Sequence, residues 1–185
     1  MTDGVDLQKK GNDFLEFICN DIGSGINSKA NFLTALGLSV YTEFLGGLYN
    51  RSHEHRTITV ENKPIGQTQY NYETGLKKMG TPYENLLNRY GKSIYIRVRC
   101  GLVHEYHIKG SATIWMRKES NSNTAIWVDE TTNAINFHVV EYYHVFRKAL
   151  RKYVDEIKLP GDNLLRDYFL KMWNAETYDT TAVLM

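Results

Sequence analysis

The sequence predicts a mainly α domain, a helical bundle with a small β-hairpin inserted before a late long helix. Three observations lead there. Apolar residues recur at helical spacing through most of the chain, and three short runs of β-formers cluster between residues 112 and 137. Breakers such as Gly80-Thr81-Pro82 and Pro160-Gly161 fall between those stretches. With 185 residues, 42% of them hydrophobic, one domain closing one core is expected over the whole chain.

The first helix is expected over residues 5–22, with Leu7, Phe14, Leu15 and Ile18 facing in and Gly23-Ser24-Gly25 ending it. Ser28 reads as the N-cap of a second helix reaching about Tyr49. Phe32, Leu33, Leu36, Leu38, Val40, Tyr41, Phe44, Leu45 and Leu48 cover most of its circumference, which places it centrally in the core or against a partner subunit. Gly37, Gly46 and Gly47 would let another helix approach closely. Residues 50–68 read as a polar loop, in which His53 and His55 are solvated.

Short helices are expected over residues 70–79 and 83–90. The segment 93–108 reads as helix, although Ile94-Tyr95-Ile96-Arg97-Val98 alternates well enough for a strand. The runs 112–116, 125–128 and 134–137 are β, and the last two flank Asp129-Glu130-Thr131-Thr132-Asn133 as a hairpin. Trp115, Trp127 and Phe137 read as the buried face of that hairpin, with base stacking as the functional alternative. Phe146, Ala149, Leu150, Tyr153, Val154 and Ile157 then mark an amphipathic helix, and a final helix over 163–173 leads into a polar tail. The 13 tyrosines are expected to place rings inward and hydroxyls outward.

Charge and cysteine usage exclude several classes. Lys and Arg number 22 against 21 Asp and Glu, a net charge of +1, which argues against a broad phosphate footprint and leaves room for a local basic cleft. Cys19 and Cys100 cannot build a disulfide framework and suit a reducing compartment. The first residues lack the basic-then-apolar run of a signal peptide, and no stretch has the length of a bilayer span. A cytoplasmic protein away from the membrane is the expectation.

The densest chemistry lies in Arg97-Val98-Arg99-Cys100-Gly101-Leu102-Val103-His104-Glu105-Tyr106-His107. Arg99 precedes His104 with four residues between, and Arg97 with six. Such spacing is weak by itself, since a chain of this composition yields about one such pair by accident. The string Arg-Cys-Gly-Leu-Val-His-Glu-Tyr, with the hairpin and amphipathic helix downstream, resembles the HEPN domain family, all-helical modules carrying an Arg-x4–6-His motif. The resemblance covers about residues 28–157, leaving a C-terminal helix and tail over 160–185. It implies a homodimer and a metal-independent endoribonuclease of a bacterial defence or toxin–antitoxin type, with an antitoxin or other protein as a further partner. The alternative is a non-catalytic dimeric interaction or RNA-binding module.

Under the resemblance Arg99 and His104 are the catalytic pair, with Arg97, Glu105 and His107 as supporting candidates. The chemistry is simple: RNA supplies its own 2′-hydroxyl nucleophile, a histidine transfers the proton, and a guanidinium meets the charge developing on the phosphate. Neither a metal nor another cofactor is expected. Cys100 departs from the polar residue that follows the arginine in many nucleolytic members, which puts activity in question.

On a straight helix Arg99 and His104 lie roughly 140° apart, whereas Arg97 and His104 are nearly eclipsed. Resemblance therefore favours Arg99 and helix geometry favours Arg97. The same residues admit a plainly structural reading, with Arg99 in an ion pair and His104 a half-buried hydrogen-bonded histidine. Cys100, His104 and His107 share one helical stripe that could offer zinc three ligands, but Cys100 reads better as a small buried hydrophobe.

Overall fold

The computed structural model describes residues 2–105, 112–116, 124–161 and 163–179. Helix α1 spans Thr2–Asn27 and α2 spans Asn31–Asn50. Gly23-Ser24-Gly25 does not end α1, contrary to expectation. Gly25 sits inside the helix because a Cβ there would lie 2.5 Å from the Thr34 hydroxyl, so glycine lets the end of α1 approach the start of α2. The turn falls at Lys29, in the left-handed region at φ 55°, and Ala30 rather than Ser28 occupies the cap. Alanine has no side-chain oxygen to accept from the first N–H groups of α2.

Helix α2 is central, as its apolar circumference implies. It packs on α1, on α3 (Gln67–Lys78) and on α7 (Val139–Ile157). The contact with α3 is closest. A Cβ on Gly46 would lie 1.7 Å from the Asn71 carbonyl oxygen, and one on Gly75 would lie 2.0 Å from the Thr42 carbonyl oxygen. Each helix thus contributes a glycine where it crosses the other's backbone.

Residues 50–68 are not simply a loop. Strands β1 (Thr57–Val60) and β2 (Lys63–Gly66) pair antiparallel through a two-residue turn, Glu61-Asn62, with both residues at positive φ. Positive φ at both positions matches the right-handed twist of hairpin strands. The strands are short and largely exposed, so apolar alternation is faint and the polar composition hid them.

Helix α4 (Thr81–Tyr90) carries Pro82 in its first turn, where a missing N–H costs nothing. The short α5 (Lys92–Ile94) leads into a π-helical turn, Tyr95–Cys100, and then α6 (Gly101–Glu105). Helix therefore wins over strand for residues 94–98. Ile94, Val98 and Leu102 are fully buried along this run. The expected continuation through Tyr106 to Ile108 lies outside the described residues.

Strands β3 (Ala112–Trp115), β4 (Ile126–Val128) and β5 (Ile135–His138) form a sheet ordered β3-β5-β4. The expected hairpin is β4–β5, antiparallel, with Asp129 accepting from the Thr131 and Thr132 N–H groups in its turn. The first β run joins the same sheet, parallel to β5. Phe137 is fully buried, while Trp115 and Trp127 are half-buried against the ring of His138. Helix α8 runs Leu164–Asp179, further than the expected 163–173.

Most described tyrosines are half-buried as expected, Tyr41, Tyr90 and Tyr143 among them, and four depart from the expectation. Tyr72, Tyr83, Tyr142 and Tyr153 are buried outright rather than half-buried. The Tyr142 hydroxyl lies 2.8 Å from that of Thr42, and the Tyr83 hydroxyl accepts from the Ala125 N–H at 3.2 Å. Burial pushes Tyr83 up to about 12. Among the described residues no helix is long and apolar enough to cross a membrane.

Candidate functional site

The two candidate arginines leave the π-turn in different directions. Arg99 reaches α2, where its Nε donates to the Glu43 carboxylate at 2.5 Å. Its side chain is 12% exposed and that of Glu43 15%, and its guanidinium lies over the Tyr95 ring. Burial alone would lower the Arg99 pKa, but the charge and hydrogen bond of Glu43 more than offset this and hold it above its usual value. Arg97 instead reaches the β4–β5 turn, donating to the carbonyl oxygen and side-chain oxygen of Asn133 at 2.7 and 3.3 Å on the exposed surface.

The π-turn explains why simple helix counting misleads here. A π-turn closes i→i+5 bonds and holds roughly 4.4 residues per turn, so seven residues no longer complete two turns. The near-eclipse of Arg97 and His104 belongs to a straight α-helix.

His104 and Glu105 close α6 by their backbone, while their side chains lie outside the described residues, as do Tyr106 and His107. Cys100 is a half-buried free thiol. Among the described residues no three His, Cys, Asp or Glu side chains gather closely enough to hold a metal ion.

Glu43 is the residue that motif reasoning missed. Its signal was present, because it is the sole charged side chain in α2. A single, largely buried charge in an otherwise uncharged central helix needs a partner, and Arg99 is that partner. His53 also differs from its solvated expectation. Its ring packs between Phe44 and Tyr168, with Nδ1 2.9 Å from the Tyr168 hydroxyl and Nε2 3.0 Å from the Phe44 carbonyl oxygen. Gly47 makes room for it, since a Cβ there would lie 2.3 Å from the imidazole. His55 remains exposed.

A second feature is apolar. Phe17 on α1 and Leu33 on α2 are 66% and 65% exposed, and Val40 is also exposed. Beside Phe17 and Val40 lies a hollow of about 540 Å³, lined also by Phe14, Phe44 and Trp173, with Asp13 as its one charged residue. Contiguous exposed apolar surface of this kind marks interaction sites.

What fold and site define together is a mainly α domain with a buried Arg99–Glu43 pair and an uncovered apolar face. The chain matches no family model, no curated protein and no solved structure.

Proposed function

We propose that the chain is a HEPN-like interaction module that pairs with a second copy of itself through the α1–α2 face, with Arg99 in a structural role. The uncovered apolar face carries this reading. Leu33 and Val40 are seven residues apart on one line of α2, about 10 Å along the axis. One face thus holds a projecting leucine and, two turns away, a hollow. A two-fold dimer needs both on one surface, because each copy presents the same patch to the other. The ion pair supports a structural Arg99: a guanidinium held by its own subunit's carboxylate must give up that partner before meeting a phosphate. Sedimentation velocity tests the reading. Self-association of the wild type that Val40→Glu abolishes supports it, and a monomer at all concentrations refutes it.

The metal-independent endoribonuclease is the second reading, and the π-turn beneath the Arg-x4-His segment favours it, because π-turns concentrate at functional sites. Incubating protein and tRNA with EDTA separates the two. Cleavage by wild type but not by His104→Ala, leaving 2′,3′-cyclic phosphate ends, supports the nuclease. In that case Glu43→Gln, which removes the competing carboxylate, should raise the rate.

A further inference from the structure

The late amphipathic helix α7 buries Phe146, Ala149, Leu150, Tyr153, Val154 and Ile157 and turns a basic stripe outward. His144, Arg147, Lys148 and Arg151 are all exposed and together line a hollow of about 310 Å³. Their spacing of three, one and three residues puts them on adjacent positions of one helical face. None of the three Lys and Arg side chains holds a carboxylate among the described residues.

That distinguishes them from most arginines in the fold. Arg56, Arg89, Arg99 and Arg166 hold the carboxylates of Glu54, Glu130, Glu43 and Asp167, and Arg97 holds Asn133. In a chain of net charge +1, these neighbouring positions on α7 form a local cluster of positive charge.

We infer that the α7 stripe is a binding site for the phosphate backbone of a single-stranded nucleic acid. Arg147 and Arg151 are one turn apart, about 6 Å along the axis, so they can meet neighbouring phosphates of one strand. Lys148 adds a third cation beside them, and the His144 ring supplies a hydrogen bond at the end of the stripe. The hollow keeps the strand against the helix rather than on a convex ridge. A lipid surface fits less well, because this face offers no exposed large apolar side chain to insert. Contacts of Arg147, Lys148 and Arg151 with phosphate leave the 2′-hydroxyl unread, so RNA and DNA should bind alike.

The site stands apart from the α1–α2 face and does not depend on dimer formation. Fluorescence anisotropy with short labelled single-stranded RNA and DNA tests it, comparing wild type with Arg147→Ala/Lys148→Ala/Arg151→Ala. All three positions are exposed, and Arg151→Glu alone provides a milder variant should the triple substitution disturb folding. Three phosphate contacts give a salt slope of about −2 and roughly fifteen-fold weaker binding between about 50 and 200 mM salt. The triple variant should bind both strands at least about tenfold more weakly and lose most of that slope. Wild type that does not bind, a triple variant that binds as wild type, or an acidic peptide of equal charge that binds equally well would each overturn the proposal.

Discussion

On one side, α2 meets α3 so closely that a methyl group on Gly46 would overlap the Asn71 carbonyl, while on another side of the same helix Leu33 and Val40, two turns apart, stand in solvent. Both sides are apolar in sequence, and composition alone does not tell them apart. Glycine does, because Gly46 is needed where the backbone of α3 comes too close for a side chain. An apolar helix without a polar face divides here into a side closed by close packing and a side left for something else to cover.

The closed side should be the less tolerant. Gly46→Ala requires α3 to move, since the obstruction is backbone rather than a flexible side-chain tip. Its expected cost is about 3 kcal/mol or more, read as a large drop in melting temperature or failure to fold. Gly75→Ala should behave the same way. If either variant melts as wild type does, the close approach is not what holds these helices together.

Glu43→Gln is next in size. It leaves Arg99 largely buried without its anionic partner, at an expected cost of about 3 kcal/mol in chemical denaturation. Arg99→Met, which fills similar space without a charge, tests the same pair from the other side, though it leaves Glu43 unpaired. Combining it with Glu43→Gln should recover part of the loss, because neither charge is then stranded.

The smallest effect belongs to the β4–β5 turn. Backbone N–H groups of Thr132 and Thr131 hold the Asp129 carboxyl below its ordinary 3.8. A depressed folded pKa means this contribution is complete above the ordinary value and is lost as pH falls through the lowered one. Asp129→Asn should therefore lower the melting temperature slightly at neutral pH, flatten the acid limb of the profile and leave low pH almost unchanged. A profile identical to wild type would remove the turn from the account.

The sequence was most informative where burial sets the spacing. The α7 stripe of Phe146, Leu150, Tyr153 and Ile157 is all buried, and so is the Ile94, Val98, Leu102 arc. It was least informative where backbone geometry decides. Glu61-Asn62 makes a hairpin turn by adopting positive φ at two residues, which leaves no apolar period to read. The π-turn over Tyr95–Cys100 cannot be seen in a pattern counted at 100° per residue, yet it sends Arg97 and Arg99 to different neighbours. The Arg99–Glu43 pair joins positions 56 residues apart, so only tertiary packing reveals it, although the lone charge in α2 announced that some partner was required.

The open side of α2 is where the account is most exposed to test. Leu33→Glu and Val40→Glu are at exposed positions and should each change stability by less than about 0.5 kcal/mol. The most direct measurement is sedimentation velocity of wild type and of the double variant Leu33→Glu/Val40→Glu across a range of concentrations. A wild-type dimer that becomes a monomer in the folded double variant is the expected result. Wild type that sediments as a monomer throughout, or a double variant that still dimerises, would contradict the claim that this face binds a second copy.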